Sequence, residues 1–120
     1  MNLILKKHRK YKEDMFMYKE VGIAGTGKFR RLAEYAAENN CVMFVPEGKV
    51  ERYRNRVIGY GLDPSFINAL TLFNLEDCYD TNRKFVIYDM ENSIKSLLGE
   101  DFVGYSYSLS PEVVEYGSIM

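Results

Sequence analysis

The sequence has little of what marks several large classes of protein. It contains two cysteines, Cys41 and Cys78, and neither has metal-ligand spacing or a nearby histidine. Disulfide use is therefore not indicated, and a reducing cytoplasm is the expected location. Because Cys41 adjoins an apolar run, we predict a buried free thiol there. No apolar run approaches the ~20 residues that span a bilayer, so no membrane partner is expected.

The first residues also lack the pattern of a secretory signal peptide, and we expect none. A short apolar start is followed at once by a basic run, Lys6–Lys12, and the first twelve residues contain no acid. The rest of the chain carries more acidic than basic side chains. We interpret residues 1–14 as a basic arm. It is either a solvated terminus or a segment that contacts nucleic acid phosphates.

The remaining composition is that of a globular protein with one core. The 120 residues are 47% hydrophobic and 28% charged, which fits a single domain. We assign this domain to residues 15–110 and leave residues 111–120 as a tail without an assigned structure. The sequence contains no internal repeat and no linker that would divide it.

Hydrophobic periodicity predicts alternating strands and helices. Spacings of three and four residues indicate helices after the glycine loop, near 50–58 and at 90–98. Continuous or alternating apolar runs indicate strands, and residues 77–84 are predicted to be a polar connector. Strands separated by helices imply right-handed crossovers and a mainly parallel sheet of about five strands. The predicted strands are 15–21, 41–45, one within 66–75, 85–88 and 102–109.

A glycine-rich motif stands between the first predicted strand and the first helix. Residues 22–28 read G-x-x-x-x-G-K, a loop whose backbone N–H groups surround phosphates while its lysine reaches the outer phosphates. The next residue is normally Ser or Thr, whose hydroxyl holds Mg²⁺, but this chain has Phe29. The alternative is a glycine-rich turn that binds no ligand.

A second motif lies about 60 residues downstream. Four apolar residues, 85–88, end at Asp89, and Glu91 follows two residues later. Such an Asp can stabilise Mg²⁺ through its water shell, and a nearby acid can orient an attacking water. The alternative is that Asp89 caps the next helix, a common role for Asp after a strand.

Together the two motifs resemble the core of a P-loop NTPase of the RecA-like or helicase-like kind with a degenerate Walker A motif. The chain is more similar still to small P-loop proteins of phages and prophages. The resemblance covers most of residues 15–110, and it implies a three-layer αβα fold. The segments that carry it are 22–28, 32–36, 42–46, 86–89 and 104–108.

The resemblance also implies roles for individual residues. Asp89 would face Mg²⁺ through water, Glu91 would orient the attacking water, and Ser106 or Ser108 would contact the γ-phosphate. The nucleotide, ATP or GTP, would be bound by the loop and its neighbour: Gly22, Gly25, Thr26, Gly27, Lys28 and Phe29.

The substitution at Phe29 decides which function we expect. Loss of a metal-positioning hydroxyl weakens phosphoryl transfer, so we expect a nucleotide-binding phage or prophage accessory factor with weak or absent hydrolysis. Arg30 and Arg31 either add positive charge near the phosphates or are solvated. Two alternatives remain. One is a non-enzymatic interaction protein with a protein or nucleic acid partner, and the other is an active small NTPase.

Overall fold

The computed structural model describes residues 17–22, 25 and 27–106, and the backbone of 114–116, as a mixed α/β structure. Within this part of the chain the helices are α1 (Lys28–Glu38), α2 (Val50–Gly59), α3 (Leu72–Asp80) and α4 (Met90–Leu98). The strands are β1 (Glu20–Gly22), β2 (Val42–Val45), β3 (Ile67–Ala69), β4 (Phe85–Ile87) and β5 (Val114–Tyr116). A short 3-10 helix, Pro64–Phe66, precedes β3.

The described strands form two parallel sheets rather than one. The larger has the order β3-β2-β4, and Met43 of β2 lies opposite Ile67 and Val86. The smaller consists of β1 and β5, in which Glu20 lies opposite Val114. The predicted parallel pairing is thus confirmed, but the prediction of about five strands in the main sheet was wrong.

The central strand β2 is buried on both faces. Met43 and Val45 point into a cluster that includes the apolar residues of α1 and α2. Val42 and Phe44 point into a second cluster with residues of α3 and α4. Helices therefore cover both faces of the three-stranded sheet. A strand in this position needs apolar side chains throughout, which explains its continuous apolar sequence.

Three helices lie close to their predicted positions, although Met90 and Leu98 of the predicted α4 stripe are exposed. The apolar stripe of α1 is fully buried: Phe29, Leu32, Ala33 and Ala36. In α2 the buried residues are Tyr53 and Val57, one turn apart. Helix α4 ends at Gly99, whose φ of 95° lies in the region that favours glycine.

The strand predicted within residues 66–75 is found, but the predicted connector is partly helical. The strand is Ile67–Ala69, and α3 then extends through residues 77–80, half of the predicted connector. The side chain of Thr71 caps this helix, because its Oγ1 accepts a hydrogen bond of 3.0 Å from Asn74 N. Leu72 and Phe73 are exposed in its first turn, so the helix has no complete apolar stripe there.

The prediction of a last strand at 102–109 was also wrong for the residues that the structure describes. Residues 102–106 have no strand structure, and 107–109 lie outside the described residues. Strand β5 lies instead within the segment that we treated as a tail, where it pairs with β1. The basic arm lies outside the described residues.

Both cysteines are buried free thiols on opposite faces of the main sheet. Cys41 belongs to the cluster under α1 and α2, and Cys78 of α3 belongs to the other cluster. The buried thiol predicted for Cys41 is therefore found. Among the described residues, the helices are too short or too polar to cross a bilayer.

Two leucines at the start of the α3 region, one buried and one exposed, allow a matched test of the fold. Leu70 is 1% exposed and Leu72 is 74% exposed. We expect Leu70→Ala to lower the free energy of unfolding by about 2–5 kcal/mol, because it leaves a cavity. Leu72→Ala should change it by less than about 0.5 kcal/mol, the usual range for surface sites. Urea unfolding measures both, and equal losses would contradict the placement of α3.

Candidate functional site

The glycine loop joins β1 to α1, as the motif requires. Gly25 and Gly27 have φ values of 83° and 82°, which residues with a Cβ rarely adopt. A Cβ on Gly27 would also lie 2.8 Å from Nη1 of Arg31. Glycine is therefore required at two loop positions for backbone reasons. Residues 23, 24 and 26 lie outside the described residues, and so does the predicted role of Thr26.

The N-terminus of α1 has the features of an anion-binding helix end. Gly27 is its N-cap residue and has no side chain to cap it, and the first turn contains no acid. Helical hydrogen bonding begins with Arg31 N and Gly27 O at 3.1 Å, so the N–H groups of the first turn point out of the helix end. The positive end of the helix dipole lies at the same point, next to Lys28.

The side chain of Phe29 points away from the loop and into the core. It is 3% exposed, and its ring stacks on Tyr53 with centroids 4.9 Å apart. The ring of Tyr88 meets it edge-on at 5.0 Å. The residue that replaces the metal-binding hydroxyl is thus a core residue of the α1–α2 interface. Its side chain is therefore not directed toward the loop.

The contact of Phe29 with Tyr88 also brings the two predicted motifs together. Tyr88 directly precedes Asp89, so the carboxyl end of β4 lies beside the first turn of α1. Burial raises the pKa of Tyr88, nearby Tyr53 and Asp89 add to the effect, and Arg56 opposes it. The Tyr88 hydroxyl therefore stays protonated at neutral pH.

Asp89 occupies the N-cap position of α4 without capping it. Its φ of 55° is left-handed, a conformation that Asp tolerates better than most residues. No backbone N–H of the first turn donates to the Asp89 side chain in the described structure, and its Oδ2 accepts a hydrogen bond of 2.9 Å from the Nδ2 of Asn92 instead. The carboxylate is half-buried at the carboxyl end of β4.

The residues present do not fit the Mg²⁺ that the resemblance implies. The hydroxyl ligand is replaced by the buried ring of Phe29. Within the described ranges, no three His, Cys, Asp or Glu side chains come close enough together to hold a metal ion. Asp89 would be the sole metal-facing residue, so we derive no catalytic step through a metal.

The sequence did not reveal a cluster of aromatic rings and arginines beside the loop. The guanidinium of Arg56 lies 4.4 Å above the Phe29 ring, and its Nη2 donates to the Tyr60 hydroxyl at 3.4 Å. Arg30 lies 4.7 Å above the Tyr60 ring. We call this the arginine–aromatic cluster, and its members are Phe29, Arg30, Tyr53, Arg56, Tyr60 and Tyr88. The signal available in the sequence was the spacing of residues 53, 56 and 60, which share one face of α2.

Arg31, the second arginine after the loop, forms an ion pair with a residue of β1. Nε of Arg31 donates to Oε1 of Glu20 at 2.9 Å, and the Glu20 carboxylate is almost fully buried. The hydroxyl of Tyr18 donates to the same carboxylate. This network holds α1 against β1, because a buried carboxylate needs paired donors. Arg31 is therefore not a solvated side chain.

The remaining predicted residues lie at the surface. Glu91 is exposed in the first turn of α4, and its Oε1 accepts a hydrogen bond of 3.0 Å from the Tyr105 hydroxyl. Ser106 is exposed in a segment without regular structure, and Ser108 lies outside the described residues.

No family model, no curated protein and no solved structure matches the chain. The description of the candidate site therefore rests on this structure alone. The site consists of the glycine loop, the uncapped N-terminus of α1 and the arginine–aromatic cluster beside it. Phe29 is common to the loop motif and the cluster.

Restoring the motif's hydroxyl is expected to damage the fold. Phe29→Thr removes a buried ring that contacts Tyr53 and Tyr88, so the free energy of unfolding should fall by about 3–5 kcal/mol. Phe73→Thr makes the same change at a site that is 81% exposed and should cost less than about 1 kcal/mol. Urea unfolding compares the two variants. A stable Phe29→Thr protein would show that the ring is not needed in the core.

Proposed function

We propose that this protein binds the phosphates of a nucleotide such as ATP or GTP at residues 22–28 and has little or no hydrolytic activity. The observation that carries the proposal is the chain path from β1 to α1. Two glycines with left-handed backbones, Gly25 and Gly27, lead into an uncapped helix whose first residue is Lys28. This is the local arrangement in which backbone N–H groups bind phosphate.

The charges near the helix end favour an anion. Lys28 and Arg30 belong to the first turn of α1, and Arg56 contacts the ring of Phe29 in the same turn. Arg30 pairs with Glu34, one turn further along the helix, at 3.3 Å. That pair is exposed and therefore weak, so Glu34 offsets little of the charge of Arg30.

The packing of Phe29 supports binding without efficient hydrolysis. Catalysis of phosphoryl transfer depends on placing Mg²⁺ and charge around the transferred phosphate. In this chain the residue that would hold the metal contributes to the core, where its ring contacts Tyr53, Tyr88 and Arg56. Phosphate binding by backbone N–H groups requires no metal ligand from that side chain.

A second candidate function is supported by the exposed start of α3. Leu72 and Phe73 are adjacent and are both largely exposed. Adjacent exposed apolar side chains are typical of a surface that contacts another protein. A protein that binds a partner through α3 and has lost its nucleotide is the alternative to the first proposal.

Thermal unfolding with and without nucleotide tests the first proposal. At about ten times its dissociation constant, a nucleotide that binds only the native state adds about 1.4 kcal/mol to stability. We expect ATP or GTP to raise Tm by roughly 4–7 °C, with no requirement for Mg²⁺. Lys28→Ala should remove most of the increase.

Lys84→Ala is the control, because Lys84 is exposed at the amino end of β4, away from the loop. It should leave the increase in Tm unchanged. If millimolar ATP and GTP produce no increase in the wild type, nucleotide binding is excluded and the interaction function is favoured.

Turnover measurements separate binding from enzymatic activity. Because the residues do not fit a bound Mg²⁺, we expect phosphate release by the wild type to stay at the uncatalysed rate. Asp89→Asn should then change neither the rate of phosphate release nor the nucleotide-dependent increase in Tm. Mg²⁺-dependent release that Asp89→Asn abolishes would identify an active NTPase instead.

A further inference from the structure

The three-stranded sheet contains one point at which its winding changes direction. Strand β2 is followed by α2, which packs on one face of the sheet, and its neighbour β4 is followed by α4 on the opposite face. In open parallel sheets, ligands bind outside the carboxyl ends of the strands at such a switch point. The carboxyl ends of β2 and β4 therefore mark a second candidate position for a ligand.

An open cavity of about 390 Å³ begins at the loop after β2 and extends along α4 to its carboxyl end. It is bounded by the loop after β2 and by one face and the end of α4. This volume lies in the lower part of the range of about 300–1,000 Å³ that small-molecule sites occupy. The polar residues and the glycine that line the cavity are Lys49, Asn92, Lys95, Ser96, Gly99 and Glu100.

Backbone hydrogen bonds fix the loop on one side of the cavity. Lys49 N donates to Pro46 O at 3.1 Å, which closes a turn directly after β2. Gly48 within this turn has a left-handed φ of 91°. Glu47 N donates to Oγ of Ser96 at 3.3 Å and so attaches the loop to α4. Lys49 is therefore held at the cavity by a defined turn.

The chemistry of the lining favours an anion. Two ammonium groups, Lys49 and Lys95, come from different elements, and Glu100 is the only acid among the lining residues. Lys49 is also the N-cap residue of α2, and no side-chain hydrogen bond caps that helix in the described structure. The positive end of the α2 dipole is offset in part by Glu51 in its first turn, and the carboxyl end of α4 borders the cavity at Gly99, so the two lysines supply most of the positive charge.

The neutral polar groups already have partners within the protein. The Ser96 hydroxyl donates to Ser93 O at 3.0 Å, and the amide of Asn92 donates to Asp89. The two lysines are therefore the main donors available to a ligand. Two ammonium groups match a group with two negative charges, such as a phosphate monoester, better than a single carboxylate.

We propose that this cavity binds a small molecule through its phosphate group, with Lys49 and Lys95 as the phosphate-binding residues. The inference does not rest on nucleotide binding at residues 22–28. The two sites use different lysines and different helix ends, α2 here and α1 at the glycine loop. Failure at one site therefore leaves the other intact.

Residue-resolved NMR of the full chain tests the proposal with inorganic phosphate and ribose 5-phosphate, at ionic strength held constant with sodium chloride. We expect saturable amide shifts at Gly48, Lys49, Ser96 and Gly99. The double variant Lys49→Met/Lys95→Met should weaken binding at least about tenfold, since it removes two charge-assisted contacts. Glu100→Gln should strengthen binding, because it removes the only negative charge in the lining.

Lys84→Met, a change at an exposed lysine on the opposite edge of the sheet, is the matched control and should bind phosphate as the wild type does. Unchanged spectra outside the cavity will show that the double variant is folded. Shifts that do not saturate, or that persist in the double variant, overturn the proposal. Shifts confined to Gly25, Gly27 and Lys28 that Lys28→Ala removes would assign phosphate to the glycine loop and likewise overturn it.

Discussion

The burial of β2 on both faces is the constraint on which the rest of the structure depends. All four of its residues, Val42–Val45, are buried, and both of its edges pair with parallel strands. A parallel strand with two apolar faces must be covered by helices on both sides. That requirement places α1 and α2 on one face and α3 and α4 on the other. It also places the loop after β2 beside α4, where the cavity lies.

Phe29 links this architecture to the candidate site. Its place in the apolar stripe of α1 could be predicted from the sequence, and the structure buries it as that stripe requires. Its partners could not be predicted, because Tyr60 and Tyr88 reach it from two other elements. A ring that carries several contacts cannot be exchanged for a small hydroxyl without loss of packing. The packing of the core therefore disfavours Ser or Thr at this position.

The elements that could be predicted are those in which the spacing of apolar residues follows the period of a helix or a buried strand. Helices α1, α2 and α4 and strands β2 and β4 lie close to their predicted positions. The apolar stripe of α1 is fully buried, whereas Ile58 of α2 and Met90 and Leu98 of α4 are exposed. Helix α3 was missed because Leu72 and Phe73 are exposed, so the apolar pattern does not mark its first turn. The capping contact of Thr71 with Asn74 was the better local signal. The pairing of β1 with β5 joins residues far apart in the chain, and no local pattern encodes it.

The anion binding that we propose would depend on the parallel arrangement as well as on the glycine motif. In a parallel sheet, the helices that follow the strands all begin at the same edge of the sheet. The N-termini of α2 and α4 therefore lie at the carboxyl ends of β2 and β4. The contact of Phe29 with Tyr88 brings the start of α1 to that edge as well. Lys28 and Lys49 lie at the N-termini of α1 and α2, whereas Glu51 and Glu91 in the first turns of α2 and α4 offset part of the positive potential of those helix ends. The first turn of α1 contains no acid, so the dipole is least opposed at the glycine loop.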